Sequence, residues 1–103
     1  MPLSLEQIAA SPKALEGIRV VDFTWVRAGP WATRWLGALG AEIIKVEWPL
    51  SERGRTTGGV PPGMTPSLNT ATNFNDTNAN KKGITVNLRS KKGLDLVKRL
   101  ISE

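Results

Sequence analysis

Residues 18–46 read IRVVDFTWVRAGPWATRWLGALGAEIIKV, and the pattern of this stretch decides the fold. The β-branched and apolar run at 18–23 predicts a largely buried strand. Pro30 suits the first position of a helix, and apolar residues then recur at helical spacing until Gly40 ends it. Residues 43–46 form a second apolar strand, which Pro49 stops. The order strand, helix, strand predicts a right-handed βαβ unit with parallel strands.

The segments on either side extend this unit. Residues 1–14 read as an N-terminal arm, in which Ser4 and Gln7 form a capping box for a short helix through Ala10. After the unit, residues 84–88 predict a third strand. A helix capped by Ser90 then carries apolar residues at helical spacing, namely Leu94, Val97, Leu100 and Ile101. We therefore predict a single α/β unit over residues 1–103, a Rossmann-like partial domain with parallel strands and flanking helices.

The segment between the second and third strands differs in composition. Residues 49–77 are rich in Gly, Pro, Ser, Thr and Asn, with Gly58-Gly59 and Pro61-Pro62-Gly63 as clear breakers. We predict no regular structure here, and expect this long central loop to be the most mobile part of the chain. Structureless loops longer than about 15 residues are uncommon in compact domains, so a functional loop is the alternative.

Composition excludes several classes of chemistry. The 103 residues contain no Cys and no His, which excludes a disulfide framework, zinc sites and serine–histidine catalysis. There is no apolar run of about 20 residues and no signal-peptide pattern, so we expect a cytoplasmic protein with no membrane partner.

The net charge of +5 lies in the second half. Residues 1–50 carry five Lys and Arg against five Asp and Glu, whereas residues 51–103 carry nine against four. This asymmetry suits an anionic partner, either nucleic acid or a phosphorylated small molecule such as a nucleotide or coenzyme A. The alternative is a solvated basic face.

Three blocks of sequence carry a family resemblance. They are LEGIRVVDFT at 15–24 leading into AGP at 28–30, LGALGAEIIKVE at 36–47, and NANKKGI at 78–84 followed by Asn87-Leu88 and Gly93. In this order the blocks resemble the family III CoA-transferases, the group that includes formyl-CoA transferase, carnitine CoA-transferase and α-methylacyl-CoA racemase. The resemblance covers residues 15–102 apart from the central loop, and implies the N-terminal portion of the family's large domain.

The first two blocks imply contacts to coenzyme A. The resemblance places Val26, Arg27 and Ala28 along the ligand, at a turn where the N-terminus of a helix also favours an anion. Gly29 either lets the ligand approach or is needed for the turn itself. Trp48 matches a position where relatives often have Arg against the nucleotide. It can stack on adenine but cannot pair with phosphate, and core or interface packing is the alternative.

The third block implies the rest of the predicted site. It places Asn80, Lys81 and Lys82 where phosphate could be bound and Val86 and Arg89 near the adenine, with solvated lysines as the alternative. Arg27 in the first block departs from the family pattern, since relatives can have a smaller or uncharged polar residue such as Gln there, and two features of the third block depart as well. Asn87 stands for the usual Asp, and Lys91-Lys92 stand for Pro-Glu at a helix N-terminus, where positive charge is mildly unfavourable.

The family transfers CoA between carboxylic acids through an aspartyl-CoA thioester. The resemblance places that aspartate beyond residue 103. Asp22, Asp76 and Asp95 do not match it, and we interpret Asp22 as a hydrogen-bonding residue of a turn. The chain is thus expected to be an inactive fragment that supplies part of a CoA site, with a non-catalytic binding or interaction module as the alternative.

The resemblance also bears on ligands and partners. It implies CoA or acyl-CoA as a substrate rather than a permanently bound cofactor, with no metal and no nucleic acid partner. We expect a homodimer or higher oligomer, because strand edges and apolar helix faces at Trp31, Trp35, Leu94 and Leu100 would lack partners. Which acids are used, and whether the chemistry is transfer or racemisation, stay open at this level.

Overall fold

The computed structural model of the chain describes residues 1–48, 55 and 59–103. These residues form a three-stranded sheet with helices around it. In chain order the elements are α1 (Leu5–Ala10), β1 (Arg19–Asp22), α2 (Ala28–Ala38), β2 (Glu42–Glu47), α3 (Thr72–Thr77), β3 (Lys81–Thr85) and α4 (Lys91–Ser102). No helix within the described residues is both long enough and apolar enough to cross a membrane.

The sheet is parallel and its strands lie in chain order, β1-β2-β3. Val20 pairs with Ile43, and Ile43 pairs with Lys81. Helix α2 packs on β2 so closely that a Cβ atom at Gly37 would lie 3.2 Å from Ile43, a residue that is 1% exposed. The predicted α/β class and the parallel strand–helix–strand unit are confirmed. Because the strands are parallel, their carboxyl ends meet at one edge of the sheet.

The N-terminal arm has the predicted cap. Ser4 Oγ accepts from the Gln7 backbone N–H at 3.1 Å, and Gln7 Oε1 accepts from the Ser4 backbone N–H at 2.8 Å. Helix α1 itself buries no residue. The arm joins the sheet unit where Lys13 lies against Gly40, which has φ +108°. A Cβ atom added at Gly40 would lie 2.5 Å from the Cβ of Lys13. A side chain at position 40 would therefore push the arm away.

Two boundaries differ from the sequence prediction. Helix α2 begins at Ala28, so Pro30 occupies its third position, and the Trp31 N–H already bonds the carbonyl of Arg27 at 2.8 Å. Strand β3 begins at Lys81, three residues before the predicted start, because its first residues are lysines rather than apolar residues. The strand ends at Thr85, before a turn in which Asn87 Oδ1 accepts from the Arg89 N–H at 2.9 Å. This amide supplies the oxygen that an aspartate would provide at such a turn.

The central segment is partly helical, which corrects its assignment as a loop throughout. Helix α3 covers Thr72–Thr77 and packs near α2, with Ala71 and Thr77 almost fully buried. Its threonines and asparagines are poor helix formers, so sequence preference did not indicate it. Thr77 bonds back to the carbonyl of Asn73 at 2.8 Å. The predictions for residues 49–54 and 56–58 lie outside the described residues.

Helix α4 follows its predicted pattern. Ser90 Oγ accepts from the Gly93 N–H at 3.0 Å and caps the helix, as predicted. Val97 is 4% exposed, whereas Leu94 remains 41% exposed and Ile101 60%. The amphipathic face of this helix is therefore only partly covered within the described residues.

Candidate ligand-binding site

A buried carboxylate organises the turn between β1 and α2. Asp22, the last residue of β1, accepts from the Thr24 N–H at 2.8 Å, from Thr33 Oγ1 at 2.7 Å and from Lys81 Nζ at 3.0 Å. Burial acts to raise the pKa of Asp22, but the hydrogen bonds from Thr24, Thr33 and Lys81 together outweigh it and lower the pKa to about 2. The interpretation of Asp22 as a hydrogen-bonding residue of the turn is confirmed.

Lys81, the first residue of β3, also contacts the Asp22 carboxylate. Its ammonium donates to Asp22, to the Pro30 carbonyl at 2.8 Å, to Thr33 Oγ1 at 2.7 Å and to Asn78 Oδ1 at 2.9 Å. The side chain is 2% exposed. Burial lowers the pKa of Lys81, and the contact with Asp22 opposes that shift. An ammonium with four protein acceptors and almost no exposure cannot also reach a phosphate from solvent, so the geometry gives Lys81 a structural role.

The turn itself is tight and strained. Val26 has φ +64°, a left-handed conformation that is unfavourable for a β-branched residue. At Gly29 an added Cβ would lie 2.4 Å from the Cβ of Thr24. Of the two roles considered for Gly29, the geometry therefore supports the tight turn. Asn73 of α3 donates to the Val26 carbonyl at 3.4 Å, which links the turn to the central segment.

The carboxyl edge of the sheet carries a groove of about 330 Å³, here called the aromatic groove. Its walls are formed by residues at or just after the carboxyl end of each strand, namely Phe23, Trp25, Val46, Glu47, Trp48, Val86, Leu88 and Arg89. The Arg89 guanidinium lies 5.3 Å from the centre of the Trp48 ring, within cation–π distance. Three residues predicted from sequence, Trp48, Val86 and Arg89, thus meet in one place.

The other predicted residues lie elsewhere. Arg27 and Ala28 line a separate depression beside Trp31, and Val26 lines a small cavity that shares Trp25 and Trp48 with the aromatic groove. Asn80 and Lys82 lie at the amino end of β3, away from the aromatic groove.

Lys82 has a partner at that amino end. Its ammonium is 2.5 Å from Glu42, which also bonds Arg19 at 2.6 Å, and the side chain of Lys82 is 73% exposed. The hydrogen bonds from Lys82 and Arg19 lower the pKa of Glu42 to about 2. Lys82 is therefore part of an exposed ion-pair network across the strands, and the predicted grouping of residues 80–89 into one site does not form.

Sequence reasoning missed an arginine that fastens the central segment to the site. Arg55 forms a two-pronged ion pair with Glu47, with both N–O distances at 2.7 Å, and lies over the Phe74 ring at 4.3 Å. The pair raises the pKa of Arg55. The spacing of Arg55, Glu47 and Phe74 in the sequence did not indicate these contacts, because the composition of the central segment favours irregular structure. Lys45 was also missed, although a lysine between Ile44 and Val46 in an apolar strand signals a buried cation.

Comparison with known proteins identifies the family. Residues 15–103 match the family described as CoA-transferase family III. The chain belongs to this family. This family III chain is 47% identical over 91 residues to succinyl-CoA:glutarate CoA-transferase of Mus musculus, a match that covers 87% of the chain and 20% of the relative. It is 40% identical over 91 residues to formyl-CoA:oxalate CoA-transferase of Streptomyces avermitilis, covering 86% of the chain and 20% of the relative.

Solved structures agree with this assignment. The orthorhombic crystal form of Rv3272 from Mycobacterium tuberculosis superposes with a TM-score of 0.75 at 44% identity, covering 85% of the chain and 24% of that protein. A CAIB/BAIF family protein from Brucella suis gives a TM-score of 0.74 at 37% identity, covering 88% of the chain and 24% of that protein. The family III chain thus spans about a fifth of the length of the curated relatives it matches. The predicted family resemblance, and its restriction to an N-terminal portion, are confirmed.

Proposed function

We propose that this chain supplies part of the coenzyme A site of a CoA-transferase that moves CoA between carboxylic acids. The observation that carries the proposal is the aromatic groove, in which Trp48, Val86 and Arg89 come together at the carboxyl edge of a parallel sheet. In open α/β sheets ligands bind in the crevice outside the carboxyl ends of the strands. The mouse and Streptomyces relatives, whose names describe CoA-transferases, support the same ligand class.

The chemistry of the groove suits the adenine end of the ligand. Trp25 is 55% exposed and Trp48 presents its ring beside Arg89, so an adenine base has aromatic surface on which to stack. Arg89 follows β3 and is exposed, so its guanidinium is able to turn from the Trp48 ring toward a phosphate. The proposed contact set within the groove is therefore Trp48, Val86 and Arg89, with Val26, Arg27 and Ala28 along the neighbouring turn.

Three predicted residues have no direct contact with the ligand in this proposal. Lys81 holds the turn through Asp22 and Pro30 and makes no direct contact with the ligand. Lys82 and Asn80 lie at the opposite end of β3 from Arg89, so neither contacts a ligand in the groove. Catalysis by an aspartyl-CoA thioester would depend on a residue outside these 103, which makes the chain alone inactive.

Calorimetric titration with coenzyme A tests the proposal. We expect weak binding by the native chain and about tenfold weaker binding by Arg89→Ala, the effect of losing one charge-assisted hydrogen bond of about 1.5 kcal/mol. Lys82→Ala is the matched control, because it also removes one exposed cation but at the other end of β3. The proposal fails if the native chain does not bind millimolar coenzyme A, or if both variants lose affinity equally.

A second function, an interaction module, is favoured by one specific feature of α2. Trp31 and Trp35 form an edge-to-face pair with ring centres 5.9 Å apart, and the Arg34 guanidinium lies 5.0 Å and 5.5 Å from their centres. Both rings remain 40% or more exposed. Aromatic residues and arginine are enriched where proteins associate, so we propose that this face supports self-association of the chain.

A further inference from the structure

The aromatic groove contains a carboxylate as well as a cation. Among the described residues that form its walls, Glu47 and Arg89 carry charge and the others are apolar. Glu47 is the last residue of β2, and its side chain is 15% exposed. A carboxylate on the wall of a groove repels the phosphates of a nucleotide, and this repulsion is stronger at a protein surface than in bulk water. A groove for an anionic ligand therefore requires that this carboxylate be neutralised.

Arg55 provides that neutralisation. Its Nε and Nη2 atoms each donate to a different oxygen of Glu47, with both distances 2.7 Å. Two-pronged pairs of this kind are among the stronger ion pairs in proteins, and an arginine side chain does not lose its charge. Lys45, another cation close to Glu47, donates instead to the Thr24 carbonyl at 2.9 Å. The charge of Glu47 is thus balanced by Arg55.

The remaining contacts of Arg55 hold its guanidinium on Glu47. Nη1 donates to the Leu68 carbonyl at 3.3 Å and to Asn69 Oδ1 at 3.2 Å, and the guanidinium lies 4.3 Å from the centre of the Phe74 ring. All three nitrogens of the guanidinium therefore have protein acceptors. A guanidinium engaged in this way does not bind a phosphate itself, so its influence on a ligand in the groove acts through Glu47.

We propose that Arg55 is a positioning residue that allows the aromatic groove to accept an anionic nucleotide, because it neutralises Glu47. The inference rests on the proposed function, since it takes a nucleotide as the occupant of the groove. With Arg55 in place, the charges of Glu47, Arg55 and Arg89 leave one net positive charge at the groove. Without Arg55, Glu47 and Arg89 cancel, and the carboxylate faces the ligand unpaired. A residue of the central segment thus determines which ligand charge the groove accepts.

Two ligands that share a base and differ in phosphate charge test the inference. Adenosine is neutral and ADP is anionic, and NMR of the tryptophan indole N–H groups of the full chain follows the binding of each. We expect Arg55→Met to weaken ADP binding about fivefold and adenosine binding less than about twofold, because an unpaired carboxylate repels only the phosphates. The loss for ADP should shrink in about 1 M sodium chloride, where the Debye length is about 3 Å. A loosened central segment would instead weaken both ligands alike.

Further variants separate the effect of charge from an effect on packing. The double variant Glu47→Gln, Arg55→Met should recover the native affinity for ADP, because it leaves no carboxylate unpaired. Arg19→Met is the matched control, since Arg19 also pairs with a glutamate, Glu42 at 2.6 Å, but at the amino end of β1. We expect this control to bind ADP as the native chain does. Glu47→Gln alone should bind ADP about fivefold more tightly, because the charge of Arg55 is then no longer balanced.

Each outcome bears on the inference. Equal losses for ADP and adenosine in Arg55→Met, or no recovery in the double variant, would overturn it and leave the proposed function standing. If Arg55→Met does not fold, Glu47→Gln decides, and an unchanged ADP affinity in that variant overturns the inference. If the native chain binds neither ADP nor adenosine, the proposed function fails and the inference fails with it.

Discussion

Replacing Asp22 by asparagine should be among the most damaging single changes in this chain. The substitution keeps the shape of the side chain but removes the charge that faces Lys81 at 3.0 Å, where the two side chains are 0% and 2% exposed. Removing one partner of a buried ion pair costs about 3–5 kcal/mol, because the other charge is left uncompensated. A chain of this length has a total stability of about 5–15 kcal/mol, so the variant should lose a large part of it.

The pKa of Asp22 gives a second route to the magnitude. It is lowered from 3.8 to about 2. Lowering the pKa of Asp22 this far corresponds to about 2–3 kcal/mol of folding free energy from this one group. Because the folded-state pKa lies below the unfolded-state value, this contribution is fully present above about pH 5 and is lost as the pH falls through 2. The difference in stability between native chain and Asp22→Asn should therefore shrink in acid. Glu42, whose pKa is also lowered to about 2, is present in both proteins and cancels in the difference.

Urea unfolding followed by the fluorescence of the four tryptophans measures this effect. Asp95→Asn is the matched control, since Asp95 forms an exposed pair with Lys91 on α4, and such pairs contribute little. The double variant Asp22→Asn, Lys81→Met should recover part of the loss, because it leaves no buried cation unpaired. An Asp22→Asn midpoint equal to that of Asp95→Asn, or a stability difference that does not change between pH 5 and pH 2, would refute the reasoning.

Three further predictions concern the turn, the exposed helix face and the activity. Gly29→Ala should lower the free energy of unfolding by about 1–3 kcal/mol, because the new Cβ would lie 2.4 Å from the Cβ of Thr24. Alanine normally stabilises a helix position, so a loss measured by thermal or urea unfolding would come from this clash. An unchanged midpoint would show that the turn adapts. The native chain should self-associate in sedimentation experiments at tens of micromolar, and Trp35→Glu should shift it toward monomer. A monomeric native chain would count against the exposed face of Trp31 and Trp35 as an interface. The purified chain should show no exchange of CoA between acids, and acyl-CoA exchange above background would place the nucleophile within these residues.

Local patterns were sufficient to predict the elements whose apolar residues repeat regularly. The β1–α2–β2 unit and the caps at Ser4 and Ser90 followed from spacing and capping chemistry. The start of β3 could not be predicted in this way, because Lys81 is a charged residue whose burial depends on Asp22, 59 positions earlier. Helix α3 was missed for a related reason, since packing on α2 overrides the weak helix preference of its residues.

The site was harder to predict than the fold because nearness in sequence is not nearness in space. A strand advances about 3.3 Å per residue, so the four steps from Lys82 to Val86 span about 13 Å. Lys82 and Arg89 therefore lie at opposite ends of β3, although the charge pattern grouped them together. The pairing of Glu47 with Arg55 depends on the path of the central segment, which no periodic pattern specifies.

The strand order β1-β2-β3 has a consequence for synthesis on the ribosome. Each new strand adds to the exposed edge of the one made before it, so the sheet can assemble vectorially without any strand being inserted between two others. One requirement remains open until β3 is made, because the carboxylate of Asp22 lies on the first strand and its cation arrives with Lys81 on the third. A nascent chain that has exposed only β1, α2 and β2 would hold that carboxylate with the Thr24 N–H and the hydroxyls of Thr24 and Thr33, and the emergence of β3 would add the ammonium of Lys81.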